Sequence, residues 1–274
     1  MIPIHMIRAL NGILLREFLR FFQQRARFLS ALVRPLIWLL VFSAGWRTTN
    51  GLAPYAPYQT YIPYEIYMIP GLCAMIQLFN GMQSSLSMIY DREMGSMRVL
   101  LTTPLPRWFI LCSRLLAGVA VSIVQVYAFL AIAFLFTYFG FLDLDIPIVG
   151  YAAVFPALVL SGFMLGALGM ALSATVKQLE NFAGVMNFVI FPMFFISSAL
   201  FPLWRVRDLS YVFYQFCQYN PFTYAVELIR FALHGQFYAF GALIVLLTSI
   251  IAMALAIYAY DPARGIQARP KGAA

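Results

Sequence analysis

Hydrophobic positions run in long blocks along this chain, and polar positions gather between them. Six blocks, at about 28–46, 66–89, 115–139, 148–176, 182–200 and 237–260, are long enough to cross a bilayer as helices, since about 20 apolar residues reach across the hydrocarbon core. Before them, residues 7–27 alternate at helical spacing. Ile7, Leu10, Leu14, Phe18 and Phe21 take one side, and Arg8, Arg16, Arg20, Arg25 and Arg27 surround it. That pattern predicts an amphipathic helix lying in the headgroup plane, with an ordinary cytosolic amphipathic helix as the alternative. Arg34-Pro35 falls near the inner end of the first block, where an arginine can snorkel to the interface. The second block is unusually polar. Gln77, Asn80 and Ser84 recur at three- and four-residue spacing, so they share a face that meets protein or water rather than lipid. In the fourth, Gly162, Gly166, Gly169 and Ser173 form a small-residue seam for close helix packing. The fifth holds Asn187 and Pro192.

The segments between blocks are equally patterned. Tyr90–Arg114 is the long polar interruption of the first half. Asp91, Arg92 and Glu93 lead into Met94, Met97 and Leu101 at helical spacing, and Thr103-Pro104-Leu105-Pro106 stops the pattern. A short amphipathic helix is thus expected between two spans. Residues 47–65 carry Tyr55, Tyr58, Tyr61 and Tyr64, which with Tyr67 predict an aromatic belt at the outer interface. In 203–235, Asn220 reads as an N-cap with Pro221 at the first helical position. Phe222, Val226, Ile229 and Leu233 share a face, Glu227 and Arg230 sit three apart as a pair, and Gly235 ends the helix. This segment is expected to dip in from the outside as a re-entrant hairpin. The fold expected is an all-α membrane protein: one transmembrane domain over 1–274, six spans, an interfacial helix, a short inner helix and an outer hairpin.

Composition agrees. Of 274 residues 63% are hydrophobic and 10% charged, where a soluble domain carries about 25% charged. The net charge of +8 would suggest nucleic acid on a soluble protein. Here fourteen of the 18 Lys and Arg fall on the side of the termini and four on the other. The positive-inside rule then sets both termini in the cytoplasm and removes the argument for nucleic acid. The N-terminal stretch lacks the pattern of a cleavable signal. Cys73, Cys112 and Cys217 have no metal or redox spacing, and neither do His5 and His234.

The chemistry is notable for what it excludes. The lysines, Lys177 and Lys271, lie in no G-x-x-x-x-G-K-[ST] motif, so this chain has no phosphate-cradling loop. No carboxylate lies mid-span, which argues against a proton-coupled secondary transporter. No nucleophile has an evident base beside it, which argues against a lipid-modifying membrane enzyme. Those two remain as rival readings. The bundle has a polar interior and no visible energy source.

At this point the chain resembles the ABC-2 type permeases, membrane subunits of ATP-binding-cassette exporters. Asp91-Arg92-Glu93-Met94-Gly95-Ser96-Met97 is similar to that family's E-R-E-x-G-[ST]-hydrophobic start of the inner coupling segment. Leu100 to Arg107 is similar to its L-L-x-T-P-x-x-R continuation. Ser197–Pro202, Asn220–Arg230, the interfacial helix, Arg34-Pro35 and Pro70-Gly71 fit as well. Asp91 departs from the commoner glutamate, and Arg98 from a polar or acidic residue. The resemblance implies a permease dimer, a homodimer by this reading, in a bacterial plasma membrane. Each copy docks a separate cytoplasmic ATPase through Asp91, Arg92, Glu93, Gly95, Met97 and Leu101. ATP and magnesium are bound by that partner, and this chain binds no cofactor. The cargo class implied is a lipid, glycan, drug-like or other amphipathic molecule moved outward. For Glu93 the competing account is that a carboxylate in a first helical turn only answers the helix dipole. Gln77, Asn80, Ser84 and Asn187 are candidates for the pathway or the dimer interface, and interhelical hydrogen bonding within one bundle explains them equally well. Asn220, Pro221, Glu227 and Arg230 belong to the outer segment, which would act as a lid.

Overall fold

The computed structural model describes residues 3–23, 25–46, 56–58, 62–93, 106–142, 144, 146–176 and 179–260. Among the described residues there are ten helices and no strand: α1 Pro3–Gln23, α2 Arg25–Trp46, α3 Tyr64–Glu93, α4 Arg107–Tyr138, α5 Ile148–Thr175, α6 Leu179–Phe195, α7 Leu203–Leu209, α8 Tyr211–Tyr219, α9 Pro221–Leu233 and α10 Ala239–Ala259.

Three of these have both the length and the apolar composition to cross a bilayer: α4 from Trp108, α5 and α10. α2 and α6 hold shorter apolar stretches, Ala31–Phe42 and Gly184–Phe195. α3 has the length, and its polar face is what separates it from the apolar three. Two helices are longer than the hydrophobic blocks suggest. α3 continues through Glu93 rather than ending at Ile89, and α4 starts at Arg107 rather than Leu115. Their 30 and 32 residues correspond to about 45 and 48 Å at 1.5 Å per residue, against a hydrocarbon core of about 30 Å. Polar residues at their ends do not break the helix, because the backbone hydrogen bonds are internal to it.

α5 is the centre of the bundle, with α3, α4, α9 and α10 packed around it. Its small-residue seam explains the closeness of α3. A Cβ built on Gly169 would lie 2.9 Å from the Gly81 carbonyl oxygen, so the two backbones touch where any larger residue would hold them apart. A second apolar cluster, including Met88, Leu111, Met170 and Met253, ties α3, α4, α5 and α10 together. Ser173 Oγ and Tyr260 Oη sit 2.8 Å apart beside it. α1 packs chiefly on α4. Phe21 is buried there, Leu10, Leu14 and Phe18 are half-buried, and Leu15 and Leu19 are exposed. Its apolar stripe therefore meets protein as well as any surrounding lipid.

The segment 203–235 is three helices. α8 leaves nearly all of its apolar surface exposed, with Cys217 its buried residue. α9 is the opposite: Phe222, Val226, Ile229 and Leu233 have no accessible surface. Asn220 joins α9 to α6. Its Oδ1 accepts from the Phe222 amide at 3.0 Å, while its Nδ2 donates to the carbonyls of Met193 (2.8 Å) and Ile196 (2.6 Å) near the end of α6. One side chain caps one helix start and satisfies orphan carbonyls at another helix end.

The aromatic belt needs correction. Tyr58, Tyr64 and Tyr67 point inward and are buried. Tyr64 Oη donates to the Leu200 carbonyl at 2.5 Å and Tyr67 Oη to the Ser198 carbonyl at 2.6 Å. Tyr58 meets His234 edge to face at 4.7 Å. Tyr64 and Tyr67 thus supply hydroxyl donors to backbone carbonyls of the turn after α6. Tyr55 and Tyr61 lie outside the described residues.

Candidate functional site

The polar face of α3 divides into three jobs. Gln77 is fully buried against α5. Its Nε2 donates to the Leu158 carbonyl at 2.7 Å, and its Oε1 accepts from Ser161 Oγ at 2.6 Å. One turn along, Asn80 Nδ2 donates to Oε1 of Gln125 on α4. The Gln125 Nε2 is buried with no hydrogen-bond partner. Ser84 packs against Gly118 of α4, and both line a cavity of about 50 Å³ between α1, α3 and α4 that Glu17 and Arg114 also line. Arg114 is buried, and its Nη1 lies 2.9 Å from the Met88 sulfur.

A larger cavity, about 180 Å³, opens on the other side of α3, between α2, α3 and α6. Arg34 and Pro35 come from α2, Phe79, Asn80 and Gln83 from α3, and Asn187 from α6. Asn80 lines both cavities. The structure thus brings Asn80 together with Ser84 on one side and with Asn187 on the other. Gln77 sits apart from both, bonded into the α3–α5 contact. Arg34 was expected at the inner end of a span beginning at Phe28. The helix itself begins earlier, at Arg25, and Arg34 lies near the start of its apolar stretch Ala31–Phe42, with its guanidinium 4.0 Å from the ring centroid of Phe79. The only sequence signal for this role was a charge within an apolar run, one turn before Trp38.

Of the inner segment, Asp91, Arg92 and Glu93 lie at the far end of α3. Gly95, Met97 and Leu101 lie outside the described residues. Glu93 therefore continues a helix that began at Tyr64 and is not in its first turn, so the dipole argument for its carboxylate does not apply there.

At the outer end, Arg230 of α9 has no accessible surface. It forms an ion pair with Glu227 and donates from Nη2 to the carbonyls of Ser198 (2.9 Å) and Tyr67 (3.4 Å). Its guanidinium lies 4.0 Å from the Tyr67 ring centroid. Tyr67, Ser198, Glu227 and Arg230 form one polar knot that fastens α9 to the start of α3. Nothing in it resembles a reaction centre. Among the described residues, no three His, Cys, Asp or Glu side chains meet as a metal site requires.

Comparison with known proteins places this polar-lined helical bundle in a family. Residues 8–234 match the family described as ABC-2 type transporter. The chain belongs to the ABC-2 type transporter family. It is 27% identical over 231 residues to the putative transport permease ycf38 of Porphyra purpurea, covering 82% of this chain and 74% of that one. It is 30% identical over 181 residues to the probable multidrug ABC transporter permease YbhR of Escherichia coli K12, covering 63% of this chain and 45% of that one. Nodulation protein J of Rhizobium leguminosarum bv. viciae is 32% identical over 81 residues, 30% of either chain. This permease is thus a membrane subunit of a transporter rather than an enzyme.

Proposed function

We propose that this permease is the membrane half of an exporter in a bacterial plasma membrane, driven by a separate cytoplasmic ATPase that binds the ATP and magnesium. The observation that carries the reading is the family match across residues 8–234. In this account the six spans are α2, α3, α4, α5, α6 and α10, and both termini are cytoplasmic. α7, α8 and α9 form the outer re-entrant lid, held by Asn220, Pro221, Glu227 and Arg230. The whole chain, 1–274, acts as one transmembrane domain and pairs with a second copy of itself.

Force enters through the segment joining α3 to α4. The length of those two helices supports this, since both overrun an apolar core and carry the polar joint beyond it. The ATPase meets Asp91, Arg92, Glu93, Gly95, Met97 and Leu101. Closure of the ATPase pair moves α2, α3 and α6 and opens the cavity that Asn80 and Asn187 line, with Ser84 alongside and Gln77 keeping α3 on α5. The cargo is amphipathic, a lipid, glycan or drug-like molecule. Support for that class is the mixture of carboxamides with methionine and phenylalanine around the cavity.

The test is copurification of the permease with a Walker-motif ABC ATPase from the same cell, followed by ATP hydrolysis in lipid. The expected result is a stable complex whose hydrolysis rises with cargo. A permease that binds no ATPase and still moves cargo down an ion gradient would make it a secondary transporter instead.

A further inference from the structure

Among the described residues lining the cavity between α2, α3 and α6, Arg34 is the one formal charge. Arg34 lies nine residues into α2, about 14 Å along the helix axis, so it is not at the helix end. Among the described residues lining the cavity there is no carboxylate; the polar lining beside Arg34 is Asn80, Gln83 and Asn187. The neighbouring cavity differs: there Arg114 shares the space with Glu17. Arg34 is exposed to this cavity, so its donors are open to an anion that enters between the apolar helices. Its planar fork of donors suits phosphate or carboxylate. The Phe79 ring holds the guanidinium at 4.0 Å in a cation–π contact. The exposed carboxamides of Gln83 and Asn187 add neutral donors on the opposite walls.

Size limits the occupant. The cavity holds about 180 Å³, while pockets that enclose a whole drug-sized ligand run to about 300–1,000 Å³ and a water takes about 30 Å³. It accepts a head group and the start of a chain, not an entire amphiphile. Met75, Ile76 and Met186 give that start an apolar wall.

We propose that this cavity binds the anionic head, phosphate or carboxylate, of an amphiphilic cargo, with Arg34 as its counter-charge and Gln83 and Asn187 as flanking donors. The proposal rests on the transport reading above for the word cargo, but the binding itself needs neither ATPase nor nucleotide.

The experiment is calorimetric titration of the full chain in phosphatidylcholine nanodiscs, corrected for empty discs. Three probes are used: dodecyl phosphate, dodecyltrimethylammonium and inorganic phosphate. Saturable binding is expected for dodecyl phosphate alone. Arg34→Gln should weaken it at least about tenfold, as loss of a charge-assisted hydrogen bond does, and Arg34→Lys, which keeps the charge but not the fork, should fall between. Asn187→Leu, which leaves the charge in place, should weaken it severalfold and serves if Arg34→Gln does not fold. Undiminished binding in either variant overturns the proposal, as does equal binding of the cationic probe. Inorganic phosphate binding as tightly as dodecyl phosphate would make this a free-anion site and overturn the amphiphile assignment. A permease that binds dodecyl phosphate through Arg34 yet couples to no ATPase would separate this proposal from the exporter reading.

Discussion

The guanidinium of Arg230 stacks on Tyr67 at 4.0 Å, although 163 residues separate them in the chain. That contact pins the last turn of α9 to the first turn of α3. The same arginine holds Glu227 and the Ser198 carbonyl, so three segments meet at one planar group. Removing the arginine leaves Glu227 half-buried without its partner. Arg230→Met should therefore cost about 3–5 kcal/mol of stability, the range for breaking a buried pair. Thermal unfolding of the purified protein in detergent reads this directly. Arg230→Lys keeps the charge but not the fork and is expected to fall between. An unchanged midpoint in Arg230→Met would contradict the knot.

Backbone contact makes a sharper forecast at Gly150. A Cβ there would lie 1.8 Å from the Leu233 carbonyl oxygen, and that atom is backbone that cannot swing aside. Gly150→Ala must push α9 off α5, with a loss of about 1–3 kcal/mol or more as for overpacking. Gly184 is the control. It lies inside α6 with nothing within 4 Å of the added carbon, so Gly184→Ala should gain about 0.5–1 kcal/mol from helix propensity. The two midpoints should move in opposite directions.

Water access separates the residues of α3 and α6. With Cys112 replaced by Ala, the remaining Cys73 and Cys217 are buried and give low background. Asn187→Cys should then react with a membrane-impermeant maleimide in at least one nucleotide state of the complex, because that position faces the larger cavity. Gln77→Cys should stay protected in every state, since the position is sealed against Leu158 and Ser161. Equal labelling of both would remove the distinction between lining and glue.

Glu93 carries a charge prediction. Its place at the far end of α3 sets it outside that helix's first turn, and in the proposed account its carboxylate meets the ATPase. Glu93→Lys should reduce ATP-driven transport several-fold while membrane insertion, measured by protease protection, stays normal. Full transport by that variant would remove Glu93 from the docking surface.

The helical class, the membrane setting and the buried face of α9 were legible in the sequence because each rests on local periodicity or a local cap. Asn220-Pro221 announces a helix start within two residues. The tyrosines misled because their spacing fits a lipid belt and an inward row equally well. What decides between these are the carbonyls of Leu200 and Ser198, more than 130 residues away, and no local pattern encodes them. Helix ends at Glu93 and Arg107 were missed for a related reason: hydrophobicity reports where lipid stops, not where the backbone ladder stops. Arg34 was legible as a charge near the start of an apolar run, but its seat against Phe79 of α3 was not, because no local pattern encodes it. The sharing of Asn80 between two cavities belongs to tertiary structure alone.

The most direct measurement of the central claim is uptake of a head-labelled anionic lipid into one leaflet of proteoliposomes. The permease is reconstituted alone, with its ATPase, and with its ATPase plus ATP. Net movement is expected in the third preparation alone, because the work must arrive through the α3–α4 joint from another polypeptide. Net movement at the same rate by the permease alone, without ATPase or ATP, would contradict the account.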